Sequence, residues 1–130
     1  MHVDELISDF NELFLDMANF IASISQDSII GRNIGDIRKV FSNINQKNKA
    51  KFIDSFVYKI LKYKKAIDNN DEKFFFVEIE KDEVKGDPDL KGINIFDLKL
   101  VWCKFDSNNK IIIFDYLKSL CNIANMYILL

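Results

Sequence analysis

The first 25 residues carry the most regular pattern of apolar and polar positions in the chain. Apolar side chains recur there at intervals of three and four, and acidic side chains fall between them. Because an α-helix turns once every 3.6 residues, this spacing gathers the apolar side chains into one stripe. The stripe lasts only about three heptads, which favours packing within a small bundle over a coiled coil. It consists of Val3, Leu6, Ile7, Phe10, Leu13, Phe14, Met17, Phe20, Ile21 and Ile24.

Two more helices are predicted before residue 70. The breakers Gly31 and Asn33 precede a short helix over residues 34–44, and a longer helix over residues 46–68 ends at Asn69-Asn70-Asp71. The longer helix directs apolar side chains toward the core at Phe52, Ile53, Phe56, Val57, Ile60, Tyr63 and Ile67.

The sequence pattern over residues 73–84 does not distinguish a helix from a strand. Val77 and Ile79 alternate with glutamates as in a strand, but the chain offers no second strand, and an isolated strand is not stable. We therefore expect a short helix or an irregular packing segment, followed by the turn-rich stretch KGDPDLKG.

Two helices are predicted to close the chain. Asn94 caps the first, with Asp97 at the capping-box position and Trp102 and Phe105 directed inward. The second follows residues 106–108 and has its core face at Ile113, Tyr116, Leu117, Leu120, Ile123, Ala124 and Tyr127. Twelve phenylalanines against four glycines and one proline also argue against a sandwich or barrel. The sequence predicts an all-α fold, a compact single-domain bundle of five or six helices over residues 1–130.

Composition and cysteine usage predict a soluble intracellular protein. The content of 48% hydrophobic and 29% charged residues is globular, and the acidic N-terminal segment lacks the basic start of a signal peptide. Cys103 and Cys121 lie at apolar positions without C-x-x-C spacing, which predicts two buried, reduced thiols. Asp115 and Lys118 interrupt the most apolar window, so no membrane span is expected.

The net charge of −2 conceals a dipolar chain, because successive blocks carry −6 (residues 1–31), +8 (32–65), −5 (66–106) and +1 (107–130). The basic block is either the solvated side of an ordinary helix or a face for nucleic acid or another acidic partner. Its side chains opposite the core are Lys47, Lys51, Tyr58, Lys62 and Lys65. Only Tyr58 argues against a merely solvated helix side, since an aromatic ring among lysines could stack on a base. Charge matching with the acidic first helix, or between subunits, is the favoured use.

The last helix has apolar residues on a second side. Ile111, Phe114 and Leu129 project away from its predicted core stripe, near Cys121. Such a helix is either central in its own domain or covered by a neighbour, and the second case makes this side a subunit-contact face.

No catalytic, metal or cofactor site is predicted. The only histidine is His2, which excludes Ser-His and Cys-His catalysis and multi-histidine metal sites, and no phosphate-binding glycine loop occurs.

The segment at residues 89–128, DLKGINIFDLKLVWCKFDSNNKIIIFDYLKSLCNIANMYI, resembles a recurrent segment of small helical proteins from large nucleocytoplasmic DNA viruses. The matching residues are Gly92, Ile93, Phe96, Leu98, Trp102, Asn109, Lys110, Ile113, Tyr116, Leu117 and Leu120. The resemblance implies a helical viral accessory protein and supplies no catalytic residues. We therefore expect a non-enzymatic interaction or assembly subunit that acts through helix faces, with a protein partner or self-association. A nucleic-acid-binding or packaging protein is the alternative. If viral, it would act in the host cytoplasm, the viral factory or the virion.

Overall fold

Two long helices dominate the structure, and each has 22 residues: α1 (Val3–Ile24) and α5 (Ser107–Ile128). The computed structural model describes residues 2–26, 32, 34–73 and 102–130. Shorter helices lie between the long ones: α2 (Ile34–Lys47), α3 (Lys51–Lys59), a 3₁₀ turn (Leu61–Tyr63) and α4 (Lys64–Asp68). These described ranges contain no strand, and the predicted compact all-α bundle is confirmed.

The stripe on α1 packs as the periodicity predicts. α1 makes its most extensive contacts with α5 and also contacts α2 and α3. Leu6, Phe10 and Ile21 are buried there, whereas Val3, in the first turn, is 44% exposed. Burial of this stripe, rather than helix propensity, is what holds α1 in place.

The prediction of a single helix over residues 46–68 is wrong, because two turns interrupt this region. The first turn separates α2 from α3, where the Asn48 side-chain oxygen accepts a hydrogen bond from the Ala50 backbone N–H at 3.1 Å. Asparagine competes in this way with the helical hydrogen bonds of its own backbone. The second is the 3₁₀ turn, closed by a hydrogen bond from the Tyr63 N–H to the Ile60 carbonyl at 2.8 Å. It buries both Tyr63 and Ile67 in the core.

The predicted end of this region at residues 69–71 is correct. Asn70 adopts a φ of 55°, a left-handed conformation that asparagine tolerates better than most residues. The Asp71 N–H then reaches back to the Ala66 carbonyl at 2.9 Å, and the Asn70 N–H bonds to the Ile67 carbonyl at 3.0 Å. This Schellman arrangement satisfies carbonyls that the end of α4 would otherwise leave without a partner.

Phenylalanines join the first three helices. The rings of Phe41 and Phe52 stack with centroids 4.5 Å apart, and Phe14 contacts both of them at 6.0 and 5.4 Å. Phe10 meets Phe56 edge-on at 5.2 Å. Offset and edge-on pairs are the favoured aromatic geometries, so this cluster fixes α2 and α3 against α1.

Trp102 connects the segment before α5 to the end of the α4 region. Its indole N–H donates to a Glu72 carboxylate oxygen at 3.0 Å. The ammonium of Lys110 lies 5.5 Å from the centre of the indole ring and 3.6 Å from the other Glu72 oxygen. Trp102 and Phe105 are buried, as the sequence predicts. Three earlier interpretations concern residues outside the described ranges: the helix-or-strand segment over 74–84, the loop after it, and the helix from Asn94 up to residue 101.

Candidate interaction surfaces

The last helix starts at a well-formed cap and buries most of one side. Asp106 accepts a hydrogen bond from the Asn109 N–H at 2.8 Å, which satisfies one of the free donors of the first turn. On the inner side, Ile113, Leu120 and Ala124 are fully buried, which confirms the centre of the predicted core stripe. A hydrogen bond of 2.7 Å from the Tyr127 hydroxyl to Asp54 attaches the C-terminal part of α5 to α3.

The opposite side of α5 presents apolar side chains to solvent. Ile111 is 49% exposed, Met126 44% and Leu129 77%. The polar residues between them are exposed as well. We call this surface the outer face of α5; it is made of Ile111, Ile112, Asp115, Ser119, Asn122 and Met126, and is continued by Leu129 and Leu130 just after the helix.

One member of the predicted subunit-contact face is misplaced. Ile111 and Leu129 are exposed, but Phe114 is only 3% exposed and belongs to the core. Its ring meets Trp102 edge-on, with centroids 5.7 Å apart and an interplanar angle of 84°. The segment before the helix folds back over this side of α5, which helical periodicity alone could not reveal. Cys121, expected near the same face, is fully buried too.

The basic residues singled out from the sequence do not lie on one helix. Lys47 ends α2, Lys51 begins α3, and Lys62 and Lys65 follow in the 3₁₀ turn and α4. Tyr58 is 81% exposed, as the helical spacing predicts. The ammonium of Lys62 lies 5.3 Å from the centre of the adjacent Tyr63 ring. The set is therefore distributed over four successive elements instead of forming one continuous stripe.

An ion pair joins the acidic first helix to the turn between α2 and α3. Lys49 pairs with Asp4 at 2.8 Å, and this hydrogen bond and charge lower the pKa of the Asp4 carboxyl. Both side chains are largely exposed, so this pair contributes little to folding. A stripe on the outside of α1 carries further exposed acids, namely Glu5, Asp9, Glu12 and Asp16.

A cleft of roughly 440 Å³ separates α1 from the end of α2. At its floor the buried Asn11 side chain donates to the Asn45 side-chain oxygen at 3.1 Å and to the Lys49 carbonyl at 2.9 Å. None of the described residues donates a hydrogen bond to its own oxygen, Asn11 Oδ1. This asparagine was not identified from the sequence. The available signal was its position, a polar residue directly beside the apolar stripe of α1. The two hydrogen bonds make Asn11 a connector between α1 and the turn before α3.

The two cysteines occupy different environments. Cys121 is fully buried, and burial raises the pKa of its thiol to about 12, with a further contribution from the Asp68 carboxylate. Cys103 is exposed in the turn after Trp102, so the prediction that both thiols are buried is wrong for Cys103. Among the residues that the structure describes, no group of three His, Cys, Asp or Glu side chains is placed to hold a metal ion. None of the helices in the described ranges has the length and apolar character needed to cross a membrane.

Comparison with known proteins adds no relative to this picture. No protein-family model, no curated protein and no solved structure matches the chain.

Proposed function

We propose that this protein is a non-enzymatic assembly subunit that contacts other protein through the outer face of α5. The observation that carries the proposal is the set of exposed apolar side chains on one side of a helix whose other side forms the core. Single exposed apolar residues are ordinary, but three on one helix face, continued by Leu129 and Leu130 just after the helix, are typical of a contact surface. The resemblance of residues 89–128 to proteins of large nucleocytoplasmic DNA viruses supports a viral subunit that acts inside the host cell.

Measurement of mass in solution tests this proposal. We expect the wild-type protein to form species heavier than the 15.2 kDa chain as its concentration rises, without added nucleic acid. Met126→Glu should suppress these species, because a charged group at the contact would have to lose its hydration. Val3→Glu is the matched control, since Val3 is equally exposed at 44% but lies on α1. A chain that stays monomeric at every concentration, or equal effects of the two substitutions, would contradict the proposal.

Binding of nucleic acid remains a second candidate function, supported by the exposed ring of Tyr58 in a basic region. A stacking tyrosine with phosphate-binding lysines predicts affinity for single strands that falls steeply with salt. Tyr58→Ala and the pair Lys47→Glu with Lys65→Glu should each weaken binding to a fluorescent oligonucleotide. Binding that neither change alters would exclude this region as the nucleic-acid site.

A further inference from the structure

The outer face of α5 has the same chemistry when it is read from either end. Ile111 and Ile112 lie near its start, Met126 and Leu129 near its end, and Ser119 halfway between. At 100° per residue these positions fall on one side of the helix. Their Cα atoms extend over about 27 Å along the axis. The face therefore has two apolar ends and a small polar centre.

We propose that a second copy of this chain covers the outer face, with its α5 antiparallel to the first and a two-fold axis at Ser119. This inference rests on the proposed function and names its partner. A two-fold contact is self-complementary, so each residue meets the partner position equally far from the axis. Ile112 then meets Met126 of the second copy, at seven residues on either side of Ser119.

The polar residues of the face distinguish the antiparallel arrangement from the parallel one. In the antiparallel pair, Asp115 lies four residues from the axis and Asn122 of the second copy lies three. The two side chains are therefore within one residue of each other along the contact, and the Asn122 amide can donate a hydrogen bond to the carboxylate. In a parallel pair, residues of the same number would face each other, so two Asp115 carboxylates would repel one another. Ser119 at the crossing is small enough for close approach of the two helices.

Charge also favours a copy of this chain on the outer face of α5 over contact through the outside of α1. The single acid of the outer face, Asp115, has Lys118 beside it on the same helix, so two copies of the face do not repel each other. The exposed acidic stripe on α1 (Glu5, Asp9, Glu12 and Asp16) would repel its own copy. Exposed apolar ends with a neutral centre therefore suit a second copy.

Charge-pair complementation tests this arrangement. Ile112→Glu and Met126→Lys should each weaken the dimer at least tenfold, because each places two unpaired charges against apolar side chains. An equimolar mixture should regain dimers, since the new glutamate of one variant meets the new lysine of the other. Sedimentation velocity would measure the dimer fraction. The matched control mixes Ile112→Glu with Ile112→Lys, which can form a pair only in a parallel dimer.

Crosslinking supplies a second readout that does not depend on charge. In a Cys103→Ser background, Ser119→Cys should form a disulfide-linked dimer under mild oxidation. Asp115→Cys should not, because the two copies of residue 115 lie about 12 Å apart along the axis. If the mixture with Ile112→Lys recovers instead, or if Asp115→Cys crosslinks and Ser119→Cys does not, the antiparallel register is overturned while the assembly function stands. A wild-type chain that never self-associates would overturn both.

Discussion

The buried thiol of Cys121 predicts a specific loss of stability at alkaline pH. Burial raises the pKa of this thiol in the folded chain to about 12, against an ordinary value of 9.0. The folded chain therefore keeps the proton through a range in which the unfolded chain releases it. Because the unfolded state binds fewer protons there, the free energy of unfolding falls as pH rises between about 9 and 12.

The size of this loss follows from the two pKa values. At pH 10 the unfolded thiol is about nine-tenths ionised and the folded thiol remains neutral, which lowers the free energy of unfolding by about 1.4 kcal/mol. At pH 11 the loss grows to roughly 2.7 kcal/mol. Below pH 8 both states are protonated and the contribution vanishes.

Urea denaturation under reducing conditions measures the effect as a difference between two chains. Cys121→Ala loses stability because it leaves a cavity, a cost that does not depend on pH, and it removes the titrating thiol. The difference in the free energy of unfolding between wild type and Cys121→Ala should therefore narrow by about 1.4 kcal/mol from pH 8 to pH 10. Tyr127 adds alkaline sensitivity in the same direction, since its hydrogen bond to Asp54 raises the pKa of its hydroxyl. That contribution is common to both chains and cancels in the comparison.

The matched control is Cys103→Ala, which removes an exposed thiol and should keep the wild-type dependence on pH. A gap between wild type and Cys121→Ala that stays constant from pH 8 to pH 10 would refute the reasoning. It would mean that the folded protein accommodates the thiolate at no greater cost than water does.

Three other predictions follow from burial and hydrogen bonding. Phe114→Ala should destabilise the chain by about 3–5 kcal/mol in urea denaturation, whereas Ile111→Ala should cost less than about 1 kcal/mol; equal effects would contradict the assignment of Phe114 to the core. Asn11→Asp keeps the side-chain shape but replaces a donor with an oxygen facing the Lys49 carbonyl, so calorimetry should show a lowered Tm and a loss of about 3 kcal/mol at neutral pH. A thiol reagent should label one cysteine of the native protein rapidly and the second only on unfolding, and Cys103→Ser should abolish the rapid phase.

Long apolar stripes were the most predictable part of this fold. The stripes on α1 and α5 extend over several turns, so their periodicity determines both the helical conformation and the buried side. The region over residues 46–68 was less predictable because a spacing of three suits a 3₁₀ turn as well as an α-helix. The choice depends on how Tyr63 and Ile67 pack in the core, and that information is not local.

The candidate surfaces were predictable only where exposure follows from the helix itself. Tyr58, Ile111 and Leu129 are exposed as their positions on the helices indicate. Phe114 was misassigned because a different segment, carrying Trp102, covers it. Asn11 was missed for a related reason, since its partners lie 34 and 38 residues further along the chain. Contacts over such distances leave no periodic signal in a single sequence.

The single tryptophan of the chain gives the molecule an intrinsic optical reporter. Its indole packs against the ring of Phe114 and donates a hydrogen bond to Glu72, a residue 30 positions earlier. Fluorescence excited at wavelengths that only tryptophan absorbs therefore originates at one junction, where the start of α5 meets the region after α4. Separation of these two parts would expose the indole to water and move its emission to longer wavelength, so opening of this junction can be followed without an added label.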